Sequence, residues 1–365
     1  MLKALIAPSK YIQGKGEINH LAQYVREYGN HALCLVASNM LNRMHDTLES
    51  SFSNMNISYT IEPFDSECCM TEIKRIIELC KEKEIDTIVG IGGGKIHDVA
   101  KAVSYYSNCP VIIVPTAAST DAPCSALSVL YTEDGVLDHY LHLKHNPNLV
   151  LVDSNIIAKA PVRLLVAGMG DALSTFFESR ACTRSHAKVL GNATSTLAAN
   201  AIAKLCLDTL YTHGYHARLA VEQKLCTDAV ENIIEANILL SGIGFESGGL
   251  ACAHSIHNAL TLLPSCSHMM HGEKVAFGTF VQLVLEDAPQ EELDQLLEFL
   301  SQVGLPYTLE ALGLNHCTDS DLRLVAERAA SEDNMRNMPF EVTEEDIFSA
   351  LKLANAIGMN YCNRQ

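Results

Sequence analysis

Four of the 15 histidines form the densest group of metal-ligating side chains in the chain, namely His254, His257, His268 and His271. The first two are three residues apart on a helical run, 250–263, and so share one face. Pro264 ends that run, and the other two approach the next predicted helix, 273–285. A helix, a break and a second helix can bring one histidine from each side to a metal ion. The spacing alone leaves open which two would bind it.

A carboxylate would complete such a site, because a catalytic zinc ion takes three protein ligands and keeps a fourth position open. The best candidate is Asp171, an isolated acid that follows Gly168 and Gly170 and is predicted to open a helix at the apolar run 172–177. A structural zinc site is a weaker interpretation, since a large helical region needs no such support. The plain alternative is that these histidines are ordinary core or surface residues.

A glycine-rich turn, Gly92-Gly93-Gly94-Lys95, lies between an apolar strand and a helix predicted from about Ile96. Without side chains, its backbone N–H groups can approach a phosphate at the positive end of the helix. It does not match the dinucleotide fingerprint, which would have glycine in place of Lys95. Nor does it match a P-loop, which would have Ser or Thr in place of Ile96. We interpret it as a pyrophosphate cradle of a less common type; the alternative is a tight strand-to-helix turn.

Polar residues follow the next apolar strand, 110–114, namely Thr116, Ser119, Asp121 and Ser125. Loops at the carboxyl ends of parallel strands line the ligand crevice of an open sheet. Hydroxyl groups and one carboxylate at that position suit hydrogen bonds to a polyhydroxylated ligand. The alternative is a polar turn in which Ser and Thr cap a helix.

Two kinds of region must position these residues. Apolar runs alternate with helical runs through the first 160 residues, which predicts a parallel sheet covered on both faces. The predicted strands are 32–37, 57–61, 87–91, 110–114 and 149–152. After Pro161 the sequence is helical, and the last amphipathic run follows a capping box of Thr343 and Asp346. We predict an α/β domain with a parallel Rossmann-like sheet for dinucleotide binding (1–161), an all-helical metal-binding domain (162–365), and a site between them.

Composition excludes several classes of protein. Of the 365 residues 48% are hydrophobic, which rules out a disordered chain. The net charge of −17 disfavours nucleic acids and anionic membranes as partners. The 13 cysteines contain no C-x-x-C pair, and no run approaches the roughly 20 apolar residues of a membrane span or resembles a signal peptide. We therefore expect a soluble cytoplasmic protein with reduced thiols.

Five segments, in order over nearly the whole chain, resemble the glycerol dehydrogenase family of the iron-containing alcohol dehydrogenase superfamily. These segments are 90–101, 115–128, 146–153, 168–171 and 268–278. The resemblance implies the two-region fold predicted above. It also implies a homo-oligomer, for which this family favours the octamer.

The resemblance assigns roles to individual residues. It implies that Asp171, His254 and His271 bind zinc, with iron as the alternative, and that His257 and His268 are only neighbours. Positions that match NAD contacts are Gly92, Gly93, Gly94, Lys95, Asp98, Thr116, Ser119, Ser125, Leu127 and Tyr131. Asp121 matches a position that binds the hydroxyls of glycerol, and His254 is expected to touch the substrate as well. Asp121 and His254 are thus the predicted catalytic residues.

The implied activity is the reversible, zinc-dependent oxidation of glycerol to dihydroxyacetone with hydride transfer to NAD. One alternative is the same scaffold acting on 2-oxo or 2-hydroxy acids or on other diols. Another is a phosphorylated-substrate relative such as glycerol-1-phosphate dehydrogenase or dehydroquinate synthase, which would need more cations than the loops around Asp121 and the histidines offer. A different class altogether is a non-catalytic metal-binding or sensor protein.

One position departs from the family pattern. A carboxylate at the end of the second strand commonly binds the adenosine ribose, but here that strand ends in Ala37-Ser38-Asn39. Without a negative charge to repel a 2′-phosphate, we predict that NAD is still preferred to NADP but with weakened discrimination.

Overall fold

The structure is a computed structural model, and it describes residues 2–53 and 55–364. Its strands all precede residue 154. In chain order they are β1 (Tyr11–Gly14), β2 (His31–Ala37), β3 (Ser58–Phe64), β4 (Thr87–Gly92), β5 (Val111–Pro115), β6 (Leu127–Tyr131), β7 (Leu137–His142) and β8 (Leu149–Asp153). The five predicted strands are present with ends shifted by up to three residues. Strand β1 and the β6–β7 hairpin were not predicted from the sequence.

In the described residues, α-helices alternate with these strands and make up most of the chain after residue 154. They are α1 (Leu21–Val25), α2 (Leu41–Ser53), α3 (Met70–Glu82), α4 (Gly94–Ser107), α5 (Ser154–Lys159), α6 (Val162–Ser185), α7 (Leu197–Glu222), α8 (Asp228–Glu235), α9 (Ser241–Gly248), α10 (Cys252–Leu260), α11 (His271–Leu285), α12 (Gln290–Val303), α13 (Asp319–Ser331) and α14 (Glu344–Cys362). The capping box predicted for α14 is present: the Thr343 side chain accepts from Asp346 N, and the Asp346 carboxylate accepts from Thr343 N. The predicted fold class, a parallel α/β region followed by a helical region, is confirmed.

Six parallel strands form the main sheet in the order β1-β8-β5-β4-β2-β3. Every residue of β4 is buried, as expected for a strand covered on both faces. Gly92 at the end of β4 pairs with Pro115 at the end of β5, and Thr116 N donates to Gly92 O at 3.0 Å. The glycine turn and the hydroxyl-rich loop therefore start side by side at one edge of the sheet.

Helix α6 corrects one prediction. Asp171 does not open a helix: it lies in the interior of α6, and Gly168 and Gly170 are helical as well. These glycines mark close packing instead of a helix start. A Cβ at Gly168 would stand 1.9 Å from Ala118 O, so the loop after β5 lies directly against the helix backbone at that point.

A single helical rod contacts the same loop. It consists of α8, a π-helical turn at Ala236–Leu240, and α9, which follow one another without a break. Gly249, with φ of 98°, ends the rod in a conformation that favours glycine. The division of the chain at residues 161 and 162 into two domains stays a prediction.

None of the helices in residues 2–53 and 55–364 is both long and apolar enough to span a bilayer.

Candidate active site

Three possible metal ligands from three helices converge in the helical region. Asp171 lies inside α6, His254 in the first turn of α10, and His271 is the first residue of α11. His271 Nε2 is 3.1 Å from Asp171 Oδ1, and His254 Nε2 is 3.7 Å from the same oxygen. One ligand atom of each residue lies within 4.8 Å of the other two. The structure thus brings together the three residues assigned to a metal by resemblance.

Contact between helix backbones produces this convergence. A Cβ at Gly272 would stand 1.8 Å from Ala167 O, and a Cβ at Gly170 would stand 2.3 Å from Gly272 O. Real Cβ atoms essentially never approach other atoms so closely. Only glycine lets the start of α11 lie against α6, and this approach places His271 beside Asp171.

An ion pair holds the start of α11 in place. Arg163, in the first turn of α6, donates from Nε and Nη2 to the two Glu273 carboxylate oxygens at 2.6 and 2.7 Å. Arg163 also donates to His268 O, and Glu273 accepts from Met270 N. Although burial raises the pKa of Glu273, Arg163 and these hydrogen bonds bring it below its ordinary value. A bidentate pair of this kind fixes orientation as well as distance.

Asp171 is an ionised carboxylate with a free oxygen. It is 2% exposed, and its Oδ2 is buried with no hydrogen-bond partner among the described residues. Burial alone would raise the pKa of Asp171, but the neighbouring His271 and His254 outweigh it and lower the pKa. A buried unpaired oxygen on a charged group is costly, and a cation would satisfy it.

Glu178 orients His254. One Glu178 oxygen, Oε2, is 2.7 Å from His254 Nδ1, and the other accepts from the backbone N–H groups of Ala251 and His254. Because a carboxylate accepts, Nδ1 carries a hydrogen, and Nε2, the nitrogen that would bind a metal, is turned toward Asp171. Burial lowers the pKa of His254, but Glu178 and the two aspartates raise it to about 9. A bound metal must therefore displace a proton from this ring at neutral pH.

We expect Glu178→Gln to lower metal affinity roughly 10- to 100-fold, because an amide NH2 donor replaces one of the two acceptor oxygens that hold His254 and the start of its helix. Competition between the metal-free protein and a chelator of known affinity measures this change. Glu231→Gln is the matched control, since Glu231 bonds to Ser154 and Gln13 and does not contact the metal group. Equal metal affinities for the two variants would contradict the assignment.

The two remaining histidines differ in their surroundings. The His257 ring is buried with its centroid 4.1 Å from that of His271, and burial and the nearby histidines hold its pKa well below the ordinary value. His257 Nδ1 is 3.0 Å from Asn258 Oδ1. His268 is exposed, with its ring beside Gly313. Within the described residues neither belongs to the group of converging donor atoms.

Asp121 lies next to this group, in the loop after β5. Its Oδ2 accepts a hydrogen bond from Ser241 Oγ at 2.6 Å. Burial, together with the negative charge of Asp171, raises the pKa of Asp121 well above its ordinary value. The predicted substrate-binding carboxylate and the predicted metal ligands therefore share one electrostatic environment.

The glycine turn faces open space. Gly93 is the N-cap of α4 and provides no side-chain cap for the first N–H groups of the helix. A Cβ built at Gly93 or Gly94 would meet nothing within 4 Å. Lys95 forms an ion pair with Glu67 beside the turn. An uncapped helix start with room in front of it is the arrangement that binds an anion such as pyrophosphate.

The other residues assigned to NAD fall into two groups. Thr116, Ser119, Leu127 and Tyr131 are partly exposed. Asp98 and Ser125 are almost fully buried around Lys101, whose Nζ donates to Ala122 O and Leu127 O and lies 3.5 Å from Asp98 Oδ1. In this arrangement Asp98 and Ser125 anchor the loop; the cofactor contact assigned to them stays a prediction.

Sequence reasoning missed Glu178, Arg163 and Ser241. A signal existed for Glu178, which follows Asp171 by seven residues, two helical turns, and so shares its face. The predicted apolar run, 172–177, ends one residue before Glu178, whereas the helix continues to Ser185. Arg163 and Ser241 contact residues that are distant in sequence, and no local sequence pattern predicts such contacts.

Known proteins share this sequence and fold. The model of the iron-containing alcohol dehydrogenase family matches residues 8–154. A glycerol dehydrogenase from Escherichia coli O6:H1 is 46% identical over 99% of both chains, and one from Citrobacter freundii is 46% identical over the full length of both. The crystal structure of glycerol dehydrogenase from Schizosaccharomyces pombe superposes with a TM-score of 0.93 at 37% identity, covering 99% of this chain and 92% of that one.

The fold and the relatives thus define an oxidoreductase of the iron-containing alcohol dehydrogenase type. Within that class the chain belongs to the glycerol dehydrogenase family.

Proposed function

We propose that this enzyme reversibly oxidises glycerol to dihydroxyacetone, with NAD as hydride acceptor and zinc at Asp171, His254 and His271. The observation that carries the proposal is the convergence of three donor atoms within 4.8 Å of one another, next to Asp121. The loop that carries Asp121 starts at the end of β5, beside the glycine turn, where Thr116 N donates to Gly92 O. A site for a dinucleotide and a site for a metal are therefore joined by one short segment. Similarity to glycerol dehydrogenases at 46% identity supports the choice of substrate.

The donor set fits a catalytic zinc ion, which takes imidazole nitrogen and carboxylate oxygen and uses three protein ligands. The unpaired Asp171 Oδ2 is the buried oxygen that a cation would neutralise. When bound, the metal supplies Lewis acidity that lowers the pKa of a substrate hydroxyl group. Iron(II) accepts the same ligands and is the alternative metal.

The chain's own residues orient the substrate. Glu178 fixes the ring of His254, and the Arg163–Glu273 pair fixes the helix that carries His271. Asp121 accepts a hydrogen bond from a hydroxyl of the diol. A secondary alcohol becomes a ketone when its hydroxyl group loses a proton and the carbon that bears this group transfers a hydride to NAD. Holding that carbon in one orientation is therefore the protein's main contribution.

The glycine turn would hold the pyrophosphate of NAD, which supplies the hydride acceptor. We expect Gly94→Ala to raise KM for NAD about 10- to 100-fold, because the new methyl group occupies the space in front of the helix N–H groups. The melting temperature and KM for glycerol should stay unchanged, since that methyl group contacts no atom of the protein. Initial rates at varied NAD and a thermal melt test both points; an unchanged KM for NAD would contradict the cradle.

The end of β2 bears on cofactor choice. Ala37, Ser38 and Asn39 provide no carboxylate there, and Asn39 is exposed. We expect the wild type to prefer NAD to NADP, and Asn39→Asp to increase the ratio of the two kcat/KM values about tenfold through repulsion of the 2′-phosphate. Asn19→Asp, in a surface turn, is the control for added charge. A wild type at least as efficient with NADP as with NAD would refute the expectation.

A substrate panel with NAD tests the proposal. Glycerol and 1,2-propanediol should yield NADH, whereas 2-hydroxybutyrate and glycerol 1-phosphate should be poor substrates. Removing the metal with a chelator should abolish turnover, and adding zinc should restore it. A lack of glycerol-dependent NADH formation would contradict the proposal, and turnover of the acid or the phosphate alone would favour the corresponding alternative substrate class. Protein that binds metal but turns over none of these compounds would indicate a sensor.

We further propose a cytoplasmic homo-octamer. All 13 cysteines are free, which agrees with a reducing compartment. The octamer rests on the family resemblance alone, and light scattering of the purified protein measures it.

A further inference from the structure

The buried hydroxyl groups of Ser241 and Thr175 form a series of hydrogen bonds that ends at Asp121. Neither residue has a role so far in binding metal, cofactor or substrate. Ser241 Oγ lies 2.6 Å from Asp121 Oδ2 and 3.0 Å from Thr175 Oγ1. Neither Ser241 nor Thr175 has any exposed surface. Thr175 lies one turn after Asp171 on α6, so this chain of side chains links the helix with a metal ligand to the loop after β5.

The direction of the hydrogen bonds follows from the number of hydrogens. A serine hydroxyl has one hydrogen, and Ser241 donates it to Asp121 Oδ2. The contact between Ser241 and Thr175 therefore has Thr175 as donor. Each hydroxyl hydrogen in this series of side chains therefore has one acceptor: Thr175 donates to Ser241, and Ser241 donates to Asp121. Such a chain fixes the rotation of the carboxylate, because Oδ2 is the oxygen that faces the hydroxyl.

The helical rod that carries Ser241 also holds the backbone of the loop. Asn237, in the π-helical turn, donates from Nδ2 to Ala118 O at 2.9 Å and to Leu165 O at 3.0 Å. A Cβ at Gly242 would stand 3.2 Å from Asp121 O. The π-helical turn and Ser241, the residue after it, therefore fix both the backbone of the loop and the carboxylate of Asp121. Turns of this type occur frequently at functional sites.

The second oxygen of Asp121 is left for a ligand. Oδ1 takes no hydrogen bond from another residue in the described part of the chain, and it is not among the buried unpaired atoms there. With Oδ2 held by Ser241, Oδ1 is the acceptor that remains. A diol offers a second hydroxyl hydrogen to such an acceptor, whereas a simple secondary alcohol does not.

We propose that Ser241 and Thr175 are positioning residues that determine the preference for a vicinal diol. They hold Asp121 Oδ2 so that Oδ1 receives the second hydroxyl of the substrate. This role rests on the proposed oxidation of a diol. Removing either hydroxyl group should weaken diol binding without removing a metal ligand.

Steady-state kinetics of the metal-loaded enzyme with glycerol and NAD provide the test. We expect Ser241→Ala to raise KM for glycerol about tenfold with kcat changed less than about threefold, as for the loss of one buried hydrogen bond. Thr175→Val should act in the same direction but more weakly, and Ser241→Thr should restore KM. Thr279→Val is the matched control, because Thr279 is a buried helical threonine whose hydroxyl donates to Val275 O within its own helix. Metal content should equal that of the wild type in every variant.

A double-mutant cycle with Asp121→Asn shows whether Ser241 acts through Asp121. We expect Ser241→Ala to add little to the Asp121→Asn variant, since the group that it positions has already been changed. Fully additive effects, or a Ser241→Ala variant with the KM of the wild type, would overturn the proposal.

A crystal structure of Ser241→Ala separates this proposal from the proposed function. The Asp121 carboxylate should rotate away from its wild-type orientation. If it keeps that orientation, the positioning role is wrong, whatever the substrate. If the wild-type enzyme shows no turnover of glycerol or 1,2-propanediol, the proposed function and the diol preference fail together. A rotated carboxylate would then still establish the positioning role.

Discussion

Replacing His271 with alanine is expected to abolish both metal binding and turnover. The change removes one of three converging donors and leaves the Asp171 carboxylate buried with fewer partners. Loss of an outer partner of a ligand already costs roughly 10- to 100-fold in affinity, so loss of a ligand itself should exceed about 100-fold. Without several kcal/mol of Lewis-acid stabilisation, kcat should fall on the order of a thousandfold or more. Elemental analysis of the purified variant and rates with a diol measure the two effects.

His268→Ala is the matched control for this experiment. His268 lies three residues earlier, but its ring is beside Gly313 and its backbone oxygen is what Arg163 uses. The variant should keep its metal and most of its activity. Metal loss in His268→Ala but not in His271→Ala would show that the converging group has been assigned to the wrong histidine.

Gly272→Ala is expected to separate α11 from α6 and so to dismantle the metal site without touching a ligand. The added Cβ would meet Ala167 O at 1.8 Å and the Asp171 backbone nitrogen at 2.8 Å, and backbone atoms cannot turn aside as a flexible side chain can. Overpacking of this kind typically costs about 1–3 kcal/mol, and contact with backbone places this variant at or above the upper end. A thermal melt should show a lower midpoint, and metal titration should show a much weaker site.

Gly93→Ala controls for the effect of replacing a glycine. Its Cβ would meet nothing within 4 Å, so its melt and metal affinity should match those of the wild type. A Gly272→Ala variant that melts at the wild-type temperature and keeps full metal affinity would show that the helix contact does not set the ligand spacing.

The parts of the fold that could be predicted from the sequence are those with local patterns. Strands β2, β4, β5 and β8 are short apolar runs next to helical runs, and burial on both faces makes such runs easy to recognise. The β6–β7 hairpin has no such pattern: β6 alternates buried and half-buried residues and β7 is almost wholly exposed. It was missed for that reason.

The site shows the same division. The histidines are conspicuous because four stand close together in the sequence, and the glycine turn is conspicuous by its composition. The position of Asp171 within its helix was predicted wrongly, because Gly168 and Gly170 resemble a boundary when seen one segment at a time. Glycine is required at these two positions because the helix packs closely there against Ala118 and Gly272, which are remote in sequence. Glu178, Arg163 and Ser241 likewise act on partners 76, 110 and 120 residues away.

The convergence of ligands from α6, α10 and α11 also affects how the protein is made. Asp171 and His271 are separated by 100 residues, so no single helical hairpin contains the site. While the chain is being synthesised, the full set of donors does not exist until α11 has emerged and docked on α6. A metal at the proposed site would therefore be acquired late, once these helices have docked. An ion that binds only the assembled form would add to the free energy of unfolding in proportion to the logarithm of its free concentration. The metal supply of the cell would then contribute to the fraction of molecules that are folded.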